Sequence, residues 1–118
     1  MKKTLLNILI ISTLIYVCFL YFFSDIQSNT YRNLTDIKNK NAIKRGWIPS
    51  ILPLSAYKIT ETHNIDTNEI WGTFKYKERD EVSFLKQLTP KNSKLYQWKG
   101  FLFKVDKKLN LVQFENEL

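Results

Sequence analysis

The 118-residue chain is 44% apolar and 25% charged, with 18 lysines and arginines against 11 acids and a net charge of +7. This length leaves room for one small domain, and 14% aromatic residues including three tryptophans exclude a disordered chain. A single cysteine excludes a disulfide framework within a monomer, and one histidine beside it excludes the usual Cys/His zinc arrangements.

Lys2 and Lys3 precede twenty residues without a charge, 4–23, TLLNILIISTLIYVCFLYFF. A bilayer core about 30 Å thick is crossed by roughly 20 apolar helical residues, so the run predicts a transmembrane helix. Asn7, Ser12 and Thr13 are its polar members, and a helix hydrogen-bonds such hydroxyls back to its own carbonyls. Tyr16, Phe19, Tyr21, Phe22 and Phe23 load its C-terminal end with aromatics, as at a membrane interface. A cleaved signal peptide needs a shorter core of about 7–15 residues followed by small residues, and here the run ends in two phenylalanines. A lipoprotein signal needs a small residue before the modified cysteine, whereas Val17 precedes Cys18, which reads as a small apolar residue within the span. An uncleaved anchor is therefore expected. Arg32, Lys38 and Lys40 compete with the N-terminal charges in setting orientation, and the short positive tail favours N-in, C-out.

Residues 24–45 carry five basic and two acidic side chains and no glycine or proline. They read as a basic helical stalk, capped at Asn29 or Thr30 and stopped by Lys44-Arg45-Gly46. Pro49 and Pro53 make residues 46–56 an ordered entry loop with one helical turn at 50–52. Residues 57–63 alternate as a half-buried strand with Tyr57 and Ile59 inward. A polar turn at 64–69 leads to a second strand, 70–76, with Gly72, Phe74 and Tyr76 on one face. Val82, Phe84, Leu85 and Leu88 mark a short helix over 77–88. Two further strands are expected at 95–105, bent at Gly100, and at 109–114. The expected fold is α+β: tail and anchor over 1–23, the stalk over 24–45, and a ββαββ domain over 46–118 with one antiparallel sheet.

Within this order, Gly46-Trp47-Ile48-Pro49, Leu52-Pro53, Ser55-Ala56, the turn from His63 to Asn68, and Phe74 form a specific pattern. Residues 46–76 thereby resemble a segment recurring in an uncharacterised family of small bacterial membrane-anchored or lipoprotein-like proteins. The resemblance implies a bacterial envelope protein and brings no activity with it.

One cluster carries catalytic chemistry. Glu61 and His63 stand two apart on a strand and so share a face, with Asp66 in the following turn able to reach back to the imidazole. A carboxylate-oriented histidine is the core of general-base chemistry, and two carboxylates with a histidine also suit a divalent metal. No nucleophile accompanies them. The preferred reading is structural: His63 and Asn64 end the strand while Asp66, Thr67 and Asn68 close a turn. Three scattered glycines make no phosphate cradle, and lysines interspersed with acids do not make a nucleic-acid surface. No metal or other cofactor is expected.

The function expected is that of a non-enzymatic binding or accessory module, a complex subunit or toxin-immunity type. It would sit in the bacterial cytoplasmic membrane with its domain outside the cytoplasm and another envelope protein as partner. Trp47, Asn64, Asp66, Asn68 and Trp71 are the candidate binding residues. Alternatives are a small hydrolase or metal-binding enzyme using Glu61, His63 and Asp66, and a lipid-surface protein acting through the basic stalk.

Overall fold

The computed structural model describes residues 1–22 and 25–118. Phe23 and Ser24, on which the end of the expected anchor and the start of the expected stalk fall, lie outside the described residues. Helix α1 (Lys2–Phe22) is exposed from Lys2 to Tyr21. Exposed apolar side chains forfeit roughly 25 cal/mol for each Å² left in water, and the helix is long and apolar enough to cross a membrane, as an anchor or a signal sequence is. Its two hydroxyls named above are internally satisfied as expected: those of Ser12 and Thr13 donate to the carbonyls of Ile8 (2.7 Å) and Leu9 (2.8 Å).

The domain is a seven-stranded, wholly antiparallel sheet: β1 (Ile26–Tyr31), β2 (Tyr57–Asn64), β3 (Ile70–Lys75), β4 (Thr89–Pro90), β5 (Leu95–Trp98), β6 (Phe101–Asp106) and β7 (Leu111–Asn116), in the order β1-β2-β3-β7-β6-β5-β4. Two short helices, α2 (Leu34–Asn39) and α3 (Glu81–Lys86), complete an α+β fold. The helical turn expected at 50–52 is a plain turn, because Pro49 and Pro53 leave no run of donors to continue it.

The expected helical stalk over 24–45 is corrected. Its first part is strand β1, paired along its length with β2 from Ile26–Asn64 to Tyr31–Ile59. A segment reading IQSNTY has no helical apolar stripe, and the hydrogen bonds of its partner strand decide its conformation. The helix begins later, with Asn33 rather than Asn29 or Thr30 as its cap: Asn33 Oδ1 accepts the Asp36 N–H at 2.9 Å. The expected strand 95–105 is two strands. Lys99 (φ 39°) and Gly100 (φ 75°) both take left-handed conformations, which makes a two-residue hairpin turn where a bend was anticipated.

All the large buried side chains lie on one face. Tyr31, Ile59, Phe74, Phe103, Val105, Val112 and Phe114 point inward, under Ile37 of α2, Ile48, Leu52 and Ala56 of the entry loop, and Phe84 of α3. The rings of Phe74, Phe84, Phe103 and Phe114 meet edge-on or tilted at 5.8–6.5 Å. Tyr76 closes one end of this cluster, its hydroxyl donating to Glu81 at 2.7 Å; burial first, and that bond second, raise the phenol well above its usual range. The opposite sheet face carries Thr60, Thr62, Trp71, Thr73, Leu102, Lys104, Gln113 and Glu115, and among the described residues no element covers it.

Gly72 is the tightest point. A Cβ there would meet the Thr60 carbonyl oxygen at 2.2 Å and the Phe114 ring at 2.5 Å. Gly72→Ala is therefore expected to cost more than about 3 kcal/mol, because backbone cannot retreat from the added methyl. Gly100→Ala meets only open space and should cost about 1–2 kcal/mol for its left-handed φ. Denaturant unfolding of the two variants beside the parent, in detergent, checks the order.

A second prediction concerns acid. The Arg32 N–H on Asp36 (3.1 Å) and hydrogen bonds from Ser55 to Asp80 (backbone N–H at 3.0 Å) hold both carboxyls below their usual range. Lowered carboxyls add stability that is complete above the ordinary carboxylate pKa and lost as pH falls through the folded value. Asp80→Asn should accordingly give a shallower acid limb in a plot of melting temperature against pH.

Candidate functional site

Strand β2 aims Ile59, Glu61 and His63 at the core, so alternation alone brings the carboxylate and the imidazole to one face. Glu61 is completely buried and His63 exposes 4% of its surface. Burying a carboxylate costs several kcal/mol unless its lone pairs are taken up, and here both oxygens are engaged. Glu61 Oε1 bonds His63 Nδ1, and Oε2 accepts from Asn29 Nδ2 at 2.9 Å across the β1–β2 ladder. On the other strand, Glu61 stands opposite Gly72.

The imidazole is roofed by Trp47. The two rings stack 4.2 Å apart at 15°, and the Arg45 guanidinium lies 5.0 Å from the Trp47 ring centre. The indole faces are thus occupied by protein groups. Asn29, Glu61, His63, Trp47 and Arg45 form a continuous stack from the sheet interior to the surface, beside a cleft of about 290 Å³ lined by Gln27, Arg45, Trp47, His63, Asn64, Ile65, Asn68 and Ile70.

Asp66 stays apart. It is exposed in the turn, and it is Asn64 whose Oδ1 accepts the N–H groups of Asp66 (2.9 Å) and Thr67 (3.2 Å). Asn68 takes φ +61°, and its carbonyl accepts from Asn116 Nδ2 at 2.8 Å, while Asn116 Oδ1 accepts the Ile70 N–H at 2.8 Å. That pair of bonds ties the end of β7 to the β2–β3 turn. Of the sequence-derived candidates, Trp47, His63, Asn64 and Asn68 share the cleft, and Trp71, 39% exposed, projects from the opposite face. Among the described residues no group of three or more His, Cys, Asp or Glu is placed to hold a metal ion. Asn29 and Arg45 were missed from sequence because their roles need the β1–β2 register and the return of the entry loop.

Chemically, the arrangement fits a structural relay better than a general base. A base must meet the proton it removes, and this imidazole is 4% exposed, stacked beneath an indole, with Nδ1 bonded to Glu61. The fold and site together define an antiparallel α+β head carried behind an apolar helix. Residues 25–75 match the family model described as the YbbD head domain. The match spans β1 to β3 and takes in Asn29, Arg45, Trp47, Glu61, His63 and the 64–69 turn; β4 to β7 lie beyond it. No curated protein and no solved structure matches the chain.

These contacts order the stability losses. His63→Ala strands a buried carboxylate and should cost about 3–5 kcal/mol. Asn64→Ala should lose about 1–2 kcal/mol through two freed turn N–H groups, and Asp66→Ala less than about 0.5 kcal/mol. Equilibrium unfolding of the three variants measures all of them; an Asp66 effect as large as that of His63 would contradict the stack.

Proposed function

We propose that the chain is a single-pass protein of a bacterial cytoplasmic membrane, N-terminus inside, that presents a non-enzymatic binding head to another protein of the envelope. The observation that carries the reading is the division of the sheet. One face holds the core and the buried Glu61–His63 pair, while the other, with Trp71, Leu102 and a row of threonines, is left uncovered by the described residues. A sheet face that needs no water-exclusion for stability is free to serve as contact surface. The apolar helix and the YbbD head match over residues 25–75 fit a membrane-anchored envelope protein, and Lys2 and Lys3 favour a cytoplasmic N-terminus. A complex subunit or a toxin-immunity protein would be built this way, with the helix supplying location and the head supplying recognition.

The placement has a direct test. A reporter active only outside the cytoplasm, fused after Leu118, should be active, and mass spectrometry should find the N-terminal helix still attached. Activity of a cytoplasm-dependent reporter at the same position, or a mature chain that begins beyond residue 22, would overturn the reading.

A further inference from the structure

The two ends of the open face differ in charge and in distance from the helix. The chain enters the sheet at Ile26, and the Asp25 carbonyl accepts the Ile65 N–H at 2.8 Å, so the 64–69 turn belongs to the entry end. Two residues, three Cα–Cα steps of at most about 11 Å in all, separate Phe22 from Asp25. The hairpin joining Asp106 to Leu111 lies at the opposite end of the strands, about 17 Å further on. Glu69 and Glu115 mark the entry end. At the far end Lys94, Lys104, Lys107 and Lys108 surround a groove of about 640 Å³ with Leu111 and Gln113 in its wall.

Among the described residues the ion pairs are Lys40–Asp36 and His63–Glu61, so the four lysines of the groove have no carboxylate partner within the domain. Asp106, on the same rim, is committed to its own turn, where Oδ1 accepts the N–H groups of Lys108 (3.0 Å) and Leu109 (3.2 Å). Through Lys104 and Gln113 the groove continues into a second cleft of about 490 Å³ on the open face, whose walls include Leu95, Leu102 and Trp71.

We propose that the open face docks an acidic polypeptide segment of a partner protein, its carboxylates at the four lysines of the far end and its apolar side chains running back toward the entry end against Leu102 and Trp71, which flank Glu115. The proposal rests on the binding-head reading above and names the face and the chemistry of its partner. Charge complementarity selects an acidic segment, steers its approach and fixes its register. Leu95, Leu102 and Trp71 in the cleft beside the lysines supply the desolvated contact that gives such an interface its strength, and that a small anion would leave unused. The anchor's own bilayer is a poor occupant: the groove is further from the entry end than the Debye length of about 8–10 Å, so headgroup charge is screened before it reaches the lysines.

The test uses the full chain in the membrane of cells that make it. The photo-crosslinker benzoylphenylalanine replaces Leu102 in one variant, and in another Val82, which is 72% exposed on α3 away from the open face. At position 102 we expect one discrete polypeptide, with a net-negative crosslinked peptide by mass spectrometry. Its yield should fall at least tenfold in Lys104→Glu/Lys108→Glu and recover in Lys104→Arg/Lys108→Arg, with thermal unfolding of both unchanged. A crosslink to lipid, to a second copy of this chain or to a neutral or basic segment overturns the proposal, as does a yield indifferent to charge reversal. A crosslinked protein at 82 and none at 102 overturns this face while leaving the binding head standing; none at either position overturns both.

Discussion

Glu61 is a carboxylate with no exposed surface, set on the middle strand of the entry end, and that end of the domain is arranged around satisfying it. Asn29 must be on an adjacent strand to reach Oε2, which holds β1 in the sheet. His63 must turn Nδ1 toward Oε1, which fixes the plane of its ring, and the plane of the ring fixes where Trp47 lies. Trp47 in turn positions the entry loop, whose Ile48 and Leu52 close the core. Buried charge of this kind is costly to assemble, and loss of either partner leaves an uncompensated group in a low-dielectric interior. A stack of this kind specifies one register: slipping β1 by one residue would carry Asn29 to the other face and leave the carboxylate unpaired.

The hydrophobic half of the core answers to a different constraint. Phe114 needs the space that a side chain at position 72 would fill, and the close approach of the Thr60 carbonyl removes any slack on the other side. The polar stack and the phenylalanine cluster thus meet on β3, where Gly72 faces Glu61 in register and Phe114 across the next strand. The family match stops at residue 75, just past this junction, so the matched portion holds the polar stack and the unmatched one supplies β6 and β7 with the phenylalanines that pack against it.

Concentrating both constraints on one face has a functional consequence. Nothing needed for stability is required of the opposite face except its strand pairing, and there hydroxyl pairs such as Thr60–Thr73 (2.8 Å) and Ser28–Thr62 (2.9 Å) satisfy one another. That face is therefore free to carry charge asymmetry, acids near the helix and lysines away from it, at little cost to the fold.

Much of this was legible in local sequence. An unbroken uncharged run can only be an apolar helix, the alternation in 57–63 and 70–76 could place Glu61 with His63 and Gly72 with Phe74, and the stripe over 77–88 marked the helix around Phe84. Each is a periodicity carried by consecutive side chains, so the chain states it without reference to the rest of the molecule. Residues 24–45 had no such period: IQSNTY is a strand because β2 offers it hydrogen-bond partners and a buried carboxylate needs Asn29. Likewise LYQWKGFLFKV is apolar on both sides of its turn, and only pairing of β5 back on β6 separates the two strands at Lys99-Gly100. The turn at 64–69 was recognised, yet Asn64 and not Asp66 closes it, because the choice between adjacent Asx side chains depends on backbone dihedrals that neighbouring strands impose. Sequence by itself determined which segments are apolar, alternating or punctuated; tertiary structure decided which segments pair, since a partner is chosen by contacts across the ladder, about 30–40 positions apart for β1–β2 and β3–β7, that leave no local period.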